Sequence, residues 1–315
     1  MGNRFANEFG ERSQWAPPQI MAQSFSLSAP LADLEPKRRC VLITGAAGRI
    51  GSFFASKMHQ KYDLRLMARD QDEDFSEIQN YGEVVFCDLA DLKKLENFCE
   101  GIDTVVHLAG NPSPSQTWDS ALQNNIAGTY NAFVAAKAAG CRRVIYASSI
   151  HAVSGYPKNI QVKTSEPVNP GDLYGVTKCF GEALGRYMAE QEGLSVIAIR
   201  IGGFQPEETA QKPELRMMDG WVSREDLTQL IERCIDVRQI QWAVFHGLSN
   251  NTFNCLDISD ARELVGYDPQ DNFTRENPLL KDLHLDEEVM SHSLEDESKS
   301  GLRNEIKEAT VKAKG

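Results

Sequence analysis

The run Cys40-Val41-Leu42-Ile43-Thr44 passes without a break into Gly45-Ala46-Ala47-Gly48-Arg49-Ile50-Gly51, and this junction restricts the fold more than any other stretch. A short apolar run ending in glycine reads as a strand covered on both faces, as in a parallel sheet. A helix expected over 50–61 then starts at the third glycine. Further strand-like runs fall at 64–68, 84–86, 104–109, 143–147 and 194–201. Helical stretches separate most of them, the clearest at 121–139 and 174–191. Strand and helix in alternation predict an α/β fold: a Rossmann-like, doubly wound parallel sheet with helices on both faces.

This dinucleotide-binding portion is expected over 39–201. A looser segment follows, with a loop at 205–219, a helix at 224–237, a strand at 242–246 and a short helix at 260–265. It reads as a small C-terminal substrate-binding portion over 202–271. Residues 1–38, interrupted by Pro17, Pro18 and Pro30, are expected to form a flexible leader. Residues 272–315 are mostly charged and polar, with weak helical promise at 305–312, and read as a mobile tail.

Charge and apolar patterning exclude several functions. A net charge of −12 over 315 residues leaves no basic footprint for sequence-independent nucleic-acid binding. No stretch approaches the roughly 18 consecutive apolar residues of a membrane span. The leader lacks the apolar core of a secretory signal, and Ala6 stands where a lipidation signal after Met1-Gly2 has Ser or Thr. Seven scattered cysteines, none in CxxC spacing, fit a reduced, cytoplasmic protein without a structural metal.

Gly45, Gly48 and Gly51 stand where a dinucleotide's pyrophosphate needs bare backbone, with Ala47, Arg49 and Ile50 completing the turn and the helix start. The helix N-terminus adds free N–H groups and a favourable dipole. About 20 residues on, a site for NAD places an acid against the ribose 2′-hydroxyl. Here Ala68 takes that position and Arg69 follows, which favours NADP(H); a register shifted by one or two residues brings in Asp70 instead. Asp88 and Leu89 are adenine-contact candidates, Asp88 being equally suited to cap the next helix. Leu108, Ala109 and Gly110 end the fourth strand with backbone that can pass the cofactor, and His107 reads as a packing residue.

Tyr174 and Lys178 are four residues apart and share a helix face. An ammonium beside a phenol favours phenolate and is expected to lower the tyrosine's pKa. Such a group removes an alcohol proton as hydride leaves the same carbon. Ser148 and Ser149 close the fifth strand on the sheet's carboxyl edge, where ligands bind in such folds. Asn125 sits in a helix passing behind the site, either as a proton relay or as a bend.

Taken in order, TGAAGRIG, CDL, HLAG, NNIAGTYN, YASS and YGVTK resemble the extended short-chain dehydrogenase/reductases, the NAD-dependent epimerase/dehydratase group. The resemblance covers about residues 40–270. It implies Tyr174 as acid/base, Lys178 as its partner and ribose contact, and Ser149 as donor to the substrate oxygen. A closer similarity is to the uronate dehydrogenase branch, carried by ASSxH at 147–151, RIG at 200–202, RMM at 216–218, WxSxxD at 221–226 and HGLSNN at 246–251. In that branch a sugar acid is oxidised to a lactone, and the carry-over gives Ser149, His151 and Arg216 as substrate contacts, with Ser113 as a further one. Ile150 and Gly203 depart from it, replacing an asparagine and a serine.

Without its two end segments the chain has about 235 residues, most of them needed by the dinucleotide fold. Some 70 remain for the substrate side, meagre for a nucleotide-sugar beside a dinucleotide. The expectation is an NAD(P)-dependent oxidoreductase of a small sugar acid or related polar alcohol, possible as a homo-oligomer. The alternatives are a sugar epimerase with the same catalytic residues, and a non-catalytic dinucleotide sensor.

Overall fold

The computed structural model describes residues 38–70, 74–204 and 210–285. The expected leader and the weak helix at 305–312 lie outside them. Seven parallel strands form one sheet: β1 (Cys40–Thr44), β2 (Asp63–Ala68), β3 (Glu83–Phe86), β4 (Thr104–His107), β5 (Arg143–Ser149), β6 (Ser195–Ile201) and, after two short strands, β9 (Trp242–Gly247). Their spatial order is β3-β2-β1-β4-β5-β6-β9, so the chain reverses direction across the sheet between β1 and β4. In doubly wound sheets this switch point is where ligands sit.

Alternation along each strand feeds two cores. Ile145, Ala147, Ile197 and Ile199 pack on one face with Phe54 of α1 (Arg49–Met58) and Leu227 and Leu230 of α6 (Arg224–Asp236). Val144, Tyr146, Val196 and Ala198 pack on the other with Leu95 of α2 (Leu92–Cys99), Phe133 of α4 (Gly128–Ala138) and Met188 of α5 (Leu173–Glu190). Burial on both faces is why these strands are unbroken apolar runs rather than alternating ones.

A second, two-stranded parallel pair, β7 (Gly203–Phe204) and β8 (Trp221–Val222), lies beyond the carboxyl edge. Residues past 265 correct one expectation. After α7 (Ser259–Val265), the short helix α8 (Phe273–Glu276) buries Phe273, and Leu280 follows it into a cluster with Ala210 and Trp221. Asn277 is fully buried and its amide donates to the carbonyls of Ala210, Lys212 and Glu214. The fold therefore extends past residue 272, where the mobile tail was expected to begin. The polar composition concealed a segment ordered by one buried amide and two apolar side chains.

Candidate active site

The glycine turn is built as its spacing demands. Gly45 has φ +67°, a conformation glycine adopts freely, and a Cβ there would lie 2.9 Å from the Ala109 backbone. A Cβ on Gly51 would lie 2.6 Å from the Gly45 carbonyl oxygen. Turn, helix and β4 end are thus in backbone contact, with Thr44 Oγ1 accepting from Ala109 N–H at 3.2 Å to hold them. Gly48 begins α1 with no side-chain cap, so the first N–H groups, around Arg49, Ile50 and Gly51, are left for an anion. This bare cradle, with Ala47 half-buried beside it, fits a dinucleotide's pyrophosphate.

Around the cradle, His107 is a packing residue as expected. Its Nδ1 meets Thr44 Oγ1 at 2.8 Å, and burial pushes its pKa down to about 3. Leu89 packs against Gly128 at the start of α4, and its carbonyl accepts from Asn131. Asp88 does not cap the next helix: its Oδ1 accepts from Ala90 N–H, and Asp91 caps α2. β2 ends at Ala68, and just past it Arg69 Nε lies 2.8 Å from Asp70 Oδ2 on the exposed edge.

The catalytic candidates converge at the carboxyl end of β5. Asp172 caps α5 by accepting from Gly175 N–H, placing Tyr174 and Lys178 in the first turns, both buried. Gly175 permits this approach, since a Cβ there would lie 2.3 Å from the His151 carbonyl oxygen. Lys178 Nζ donates to Ala147 O at 2.8 Å and lies 5.4 Å from the Tyr174 ring centroid. The Ser149 hydroxyl lies close enough to the Tyr174 phenol to favour its ionised form.

Electrostatically the pair differs from the sequence expectation. Burial pushes the Tyr174 phenol up to about 12, with the Asp172 charge adding to the rise and the nearby Ser149 hydroxyl opposing it. Burial pushes Lys178 down to about 8. Desolvation penalises both charged forms and is the largest cause at each group.

Asn125 lies in a π-helical stretch (Ala121–Ala127) that joins α3 (Trp118–Ser120) to α4. Such widened turns are frequent at functional sites. Its Oδ1 accepts from Asn111 N–H, and its Nδ2 donates to Asn111 O and Thr177 Oγ1. Gly110 bridges this amide to the lysine: a Cβ there would lie 3.2 Å from Asn125 Oδ1 and 3.9 Å from Lys178 Nζ.

Residues 41–221 match the NAD dependent epimerase/dehydratase family. The NAD-dependent glucose-6-phosphate dehydrogenase of Haloferax volcanii is 36% identical over 74% of this chain and 93% of its own length. The uronate dehydrogenase of Pseudomonas putida is 32% identical over 74% and 84%. A crystal structure of uronate dehydrogenase from Agrobacterium tumefaciens superposes with a TM-score of 0.66 at 33% identity, covering 75% of this chain and 86% of that one.

The chain belongs to the NAD-dependent epimerase/dehydratase family. It is an enzyme of the extended short-chain dehydrogenase/reductase type, with NAD(H) as the family's cofactor. Among the described residues no helix is long and apolar enough to cross a membrane, and no group of His, Cys, Asp and Glu is arranged to hold a metal ion.

Of the expected substrate contacts, His151 stands on the short 3-10 turn (Ile150–Val153) that leaves β5. Ser113 Oγ is 3.0 Å from Ser115 Oγ in the loop after β4. Arg216 is exposed on the turn before β8, and its neighbours Met217 and Met218 pack against the Trp221–Phe273 cluster. The end of that turn approaches the residue that follows β5, since a Cβ on Gly220 would touch Ile150 Cδ1 at 3.4 Å. Both departures from the uronate branch have a packing counterpart. Ile150 joins an apolar cluster with Val153, Val162 and Leu248, and Gly203 leaves the space that Met217 Cε fills.

Three residues around the site lay outside the sequence reading. Glu182 accepts from Ser148 Oγ at 2.6 Å and takes a forked ion pair from Arg200 at 2.9 and 2.8 Å. Asp172 holds His151, and Asn277 braces the Arg216 segment. The position of Glu182, four residues past Lys178, was the one visible signal for any of them.

Proposed function

We propose that the enzyme is a dehydrogenase of small aldoses that carry an acidic group, uronates foremost, oxidising the anomeric carbon to a lactone. The observation that carries this reading is the convergence of Tyr174, Ser149 and Lys178 at the end of β5, with Gly220, which closes the turn carrying Arg216, against Ile150 beside it. The relatives support it: they span the chain along 84–93% of their own length and act on uronate or glucose 6-phosphate. In sequence the epimerases match less of it, a putative UDP-glucose 4-epimerase at 25% identity over 58% of the chain.

When bound, the nicotinamide supplies the hydride acceptor. Ser149 donates a hydrogen bond to the substrate oxygen, and Tyr174 removes the hydroxyl proton. Because burial and the Asp172 charge hold the phenol near 12 even with Lys178 beside it, proton removal requires further positive charge, which a bound oxidised nicotinamide would add to that of Lys178. Leu108, Ala109 and Gly110, with Asp88 and Leu89, would hold the cofactor beside the glycine turn. Arg69 reads a 2′-phosphate and favours NADP(H), while Asp70 beside it is placed to accept from a 2′-hydroxyl when NAD(H) binds. Arg216 pairs with the substrate's carboxylate, and Ser113 approaches its hydroxyls.

The test is a panel of glucuronate, galacturonate, glucose 6-phosphate and L-arabinose with NAD and with NADP, following reduced cofactor and lactone. Oxidation of an acidic aldose is expected. Turnover of the neutral sugar alone overturns the acidic-group reading, and epimer formation without net cofactor reduction overturns the dehydrogenase. Loss of NADP but not NAD affinity in Arg69→Ala is the expected mark of the 2′-phosphate reader; equal losses refute it.

A further inference from the structure

Asp172 uses both carboxylate oxygens within the site. Oδ1 accepts from Gly175 N–H at 2.7 Å, capping the helix that carries Tyr174, and Oδ2 lies 2.6 Å from His151 Nδ1. An ionised carboxylate only accepts, so the shared hydrogen belongs to Nδ1, and in the neutral ring the lone pair is left on Nε2. The imidazole is held on other sides as well. It meets the Tyr174 ring edge-to-face at 5.3 Å, and its own backbone N–H donates to Ser149 Oγ at 3.2 Å. Nε2 has no hydrogen-bond partner among the described residues, and the side chain is 33% exposed.

We propose that Asp172 is a positioning residue that holds His151 as the Nδ1–H tautomer, so that Nε2 accepts a hydrogen bond from a hydroxyl of the bound sugar. The subsite beside Tyr174 is then specific for a hydroxyl. A carboxylate or phosphate there would face a lone pair, with the Asp172 charge behind it, so the acidic group of the substrate is directed to Arg216. This deepens the proposed function and rests on it for the ligand's identity, whereas the tautomer is a property of the protein alone.

Long-range nitrogen–proton NMR of the full chain at about pH 8, above the usual histidine range, reads the tautomer directly, with the His151 signals assigned by their loss in His151→Gln. The wild type should show Nδ1–H. In Asp172→Asn the side-chain oxygen still caps α5, since Asn caps as well as Asp, but its amide donates to Nδ1 and moves the ring proton to Nε2. The expected result is a flipped tautomer, a melting temperature close to wild type, and kcat/KM for the oxidised aldose lower by about tenfold, the scale of one well-placed hydrogen bond. Asp172→Ala, which removes the cap too, should also melt lower. An Nε2–H ring in the wild type, an unchanged tautomer in Asp172→Asn, or a flipped tautomer with unaltered kcat/KM overturns the proposal. If no aldose of the panel is oxidised, the proposed function fails, and the tautomer measurement still decides the role of Asp172.

Discussion

One face of α5 carries Tyr174, Lys178 and Glu182 at four-residue steps, and the two ends of this row treat buried charge in opposite ways. Lys178 and Arg200 are 6% and 2% exposed. Arg200 is matched by the forked Glu182 carboxylate, which also accepts from Ser148. Lys178 instead meets the Ala147 carbonyl and the faces of Tyr146 and Tyr174. Pairing Lys178 with a carboxylate would hold its proton firmly and cancel the field that favours a phenolate. In the proposed mechanism the unpaired cation is where stability is given up for chemistry, while the paired one ties α5 to β5 and β6.

The contrast can be broken first at Tyr174. Tyr174→Phe removes the transferable proton and should lower turnover by roughly 10²–10⁴-fold, the usual worth of general acid–base catalysis. Cofactor binding, followed by fluorescence titration, should stay near wild type. Near-normal turnover would show that the lysine end of the row is not catalytic.

At the other end, Glu182→Gln strands a buried guanidinium. The expected cost is roughly 3–5 kcal/mol in urea unfolding, as for other broken buried pairs. A loss below about 1 kcal/mol, within the range of an exposed pair, would erase the distinction drawn here.

Lys178→Met should do the reverse, abolishing turnover while leaving the fold as stable as the wild type or more so. The lysine's pKa is about 8 when folded and 10.5 ordinarily, so the unfolded chain binds its proton more tightly. Folding then carries a penalty of about 3 kcal/mol that is complete below pH 8. The penalty fades as pH rises toward 10.5, and with it any stability advantage of the variant. Unfolding titrations of both proteins between these limits would show the gap closing. A gap that widens with pH contradicts the assigned burial effect.

Arg216→Met should have the smallest effect, since the side chain is exposed. For an acidic aldose, kcat/KM should fall by about tenfold, equivalent to about 1.4 kcal/mol, with neutral aldoses little affected. Equal losses for both would remove Arg216 from substrate recognition and leave the α5 comparison intact.

Much of the enzyme was legible from residues adjacent in the chain. The parallel sheet and the glycine turn followed from local period and from the spacing of glycines at a strand-to-helix junction. Tyr174 and Lys178 were visible because helix geometry alone puts them on one face. The Ser148–Arg200–His246 row was not, because it needs the register of three parallel strands to align those positions. His151 and Asp172, 21 residues apart, meet only because the end of β5 abuts the start of α5.

By itself, then, the sequence determined the sheet, the cofactor turn and the spacing of the acid–base pair, since each depends on short-range geometry. Tertiary structure decided how those groups ionise, because desolvation depends on what covers a side chain rather than on its neighbours in the chain. It also decided where the folded protein ends: Asn277 is one polar residue in a polar stretch until three carbonyls of a distant loop arrive around its amide. A buried donor without those acceptors would be costly, so the loop beside Arg216 and the segment past residue 272 are ordered together.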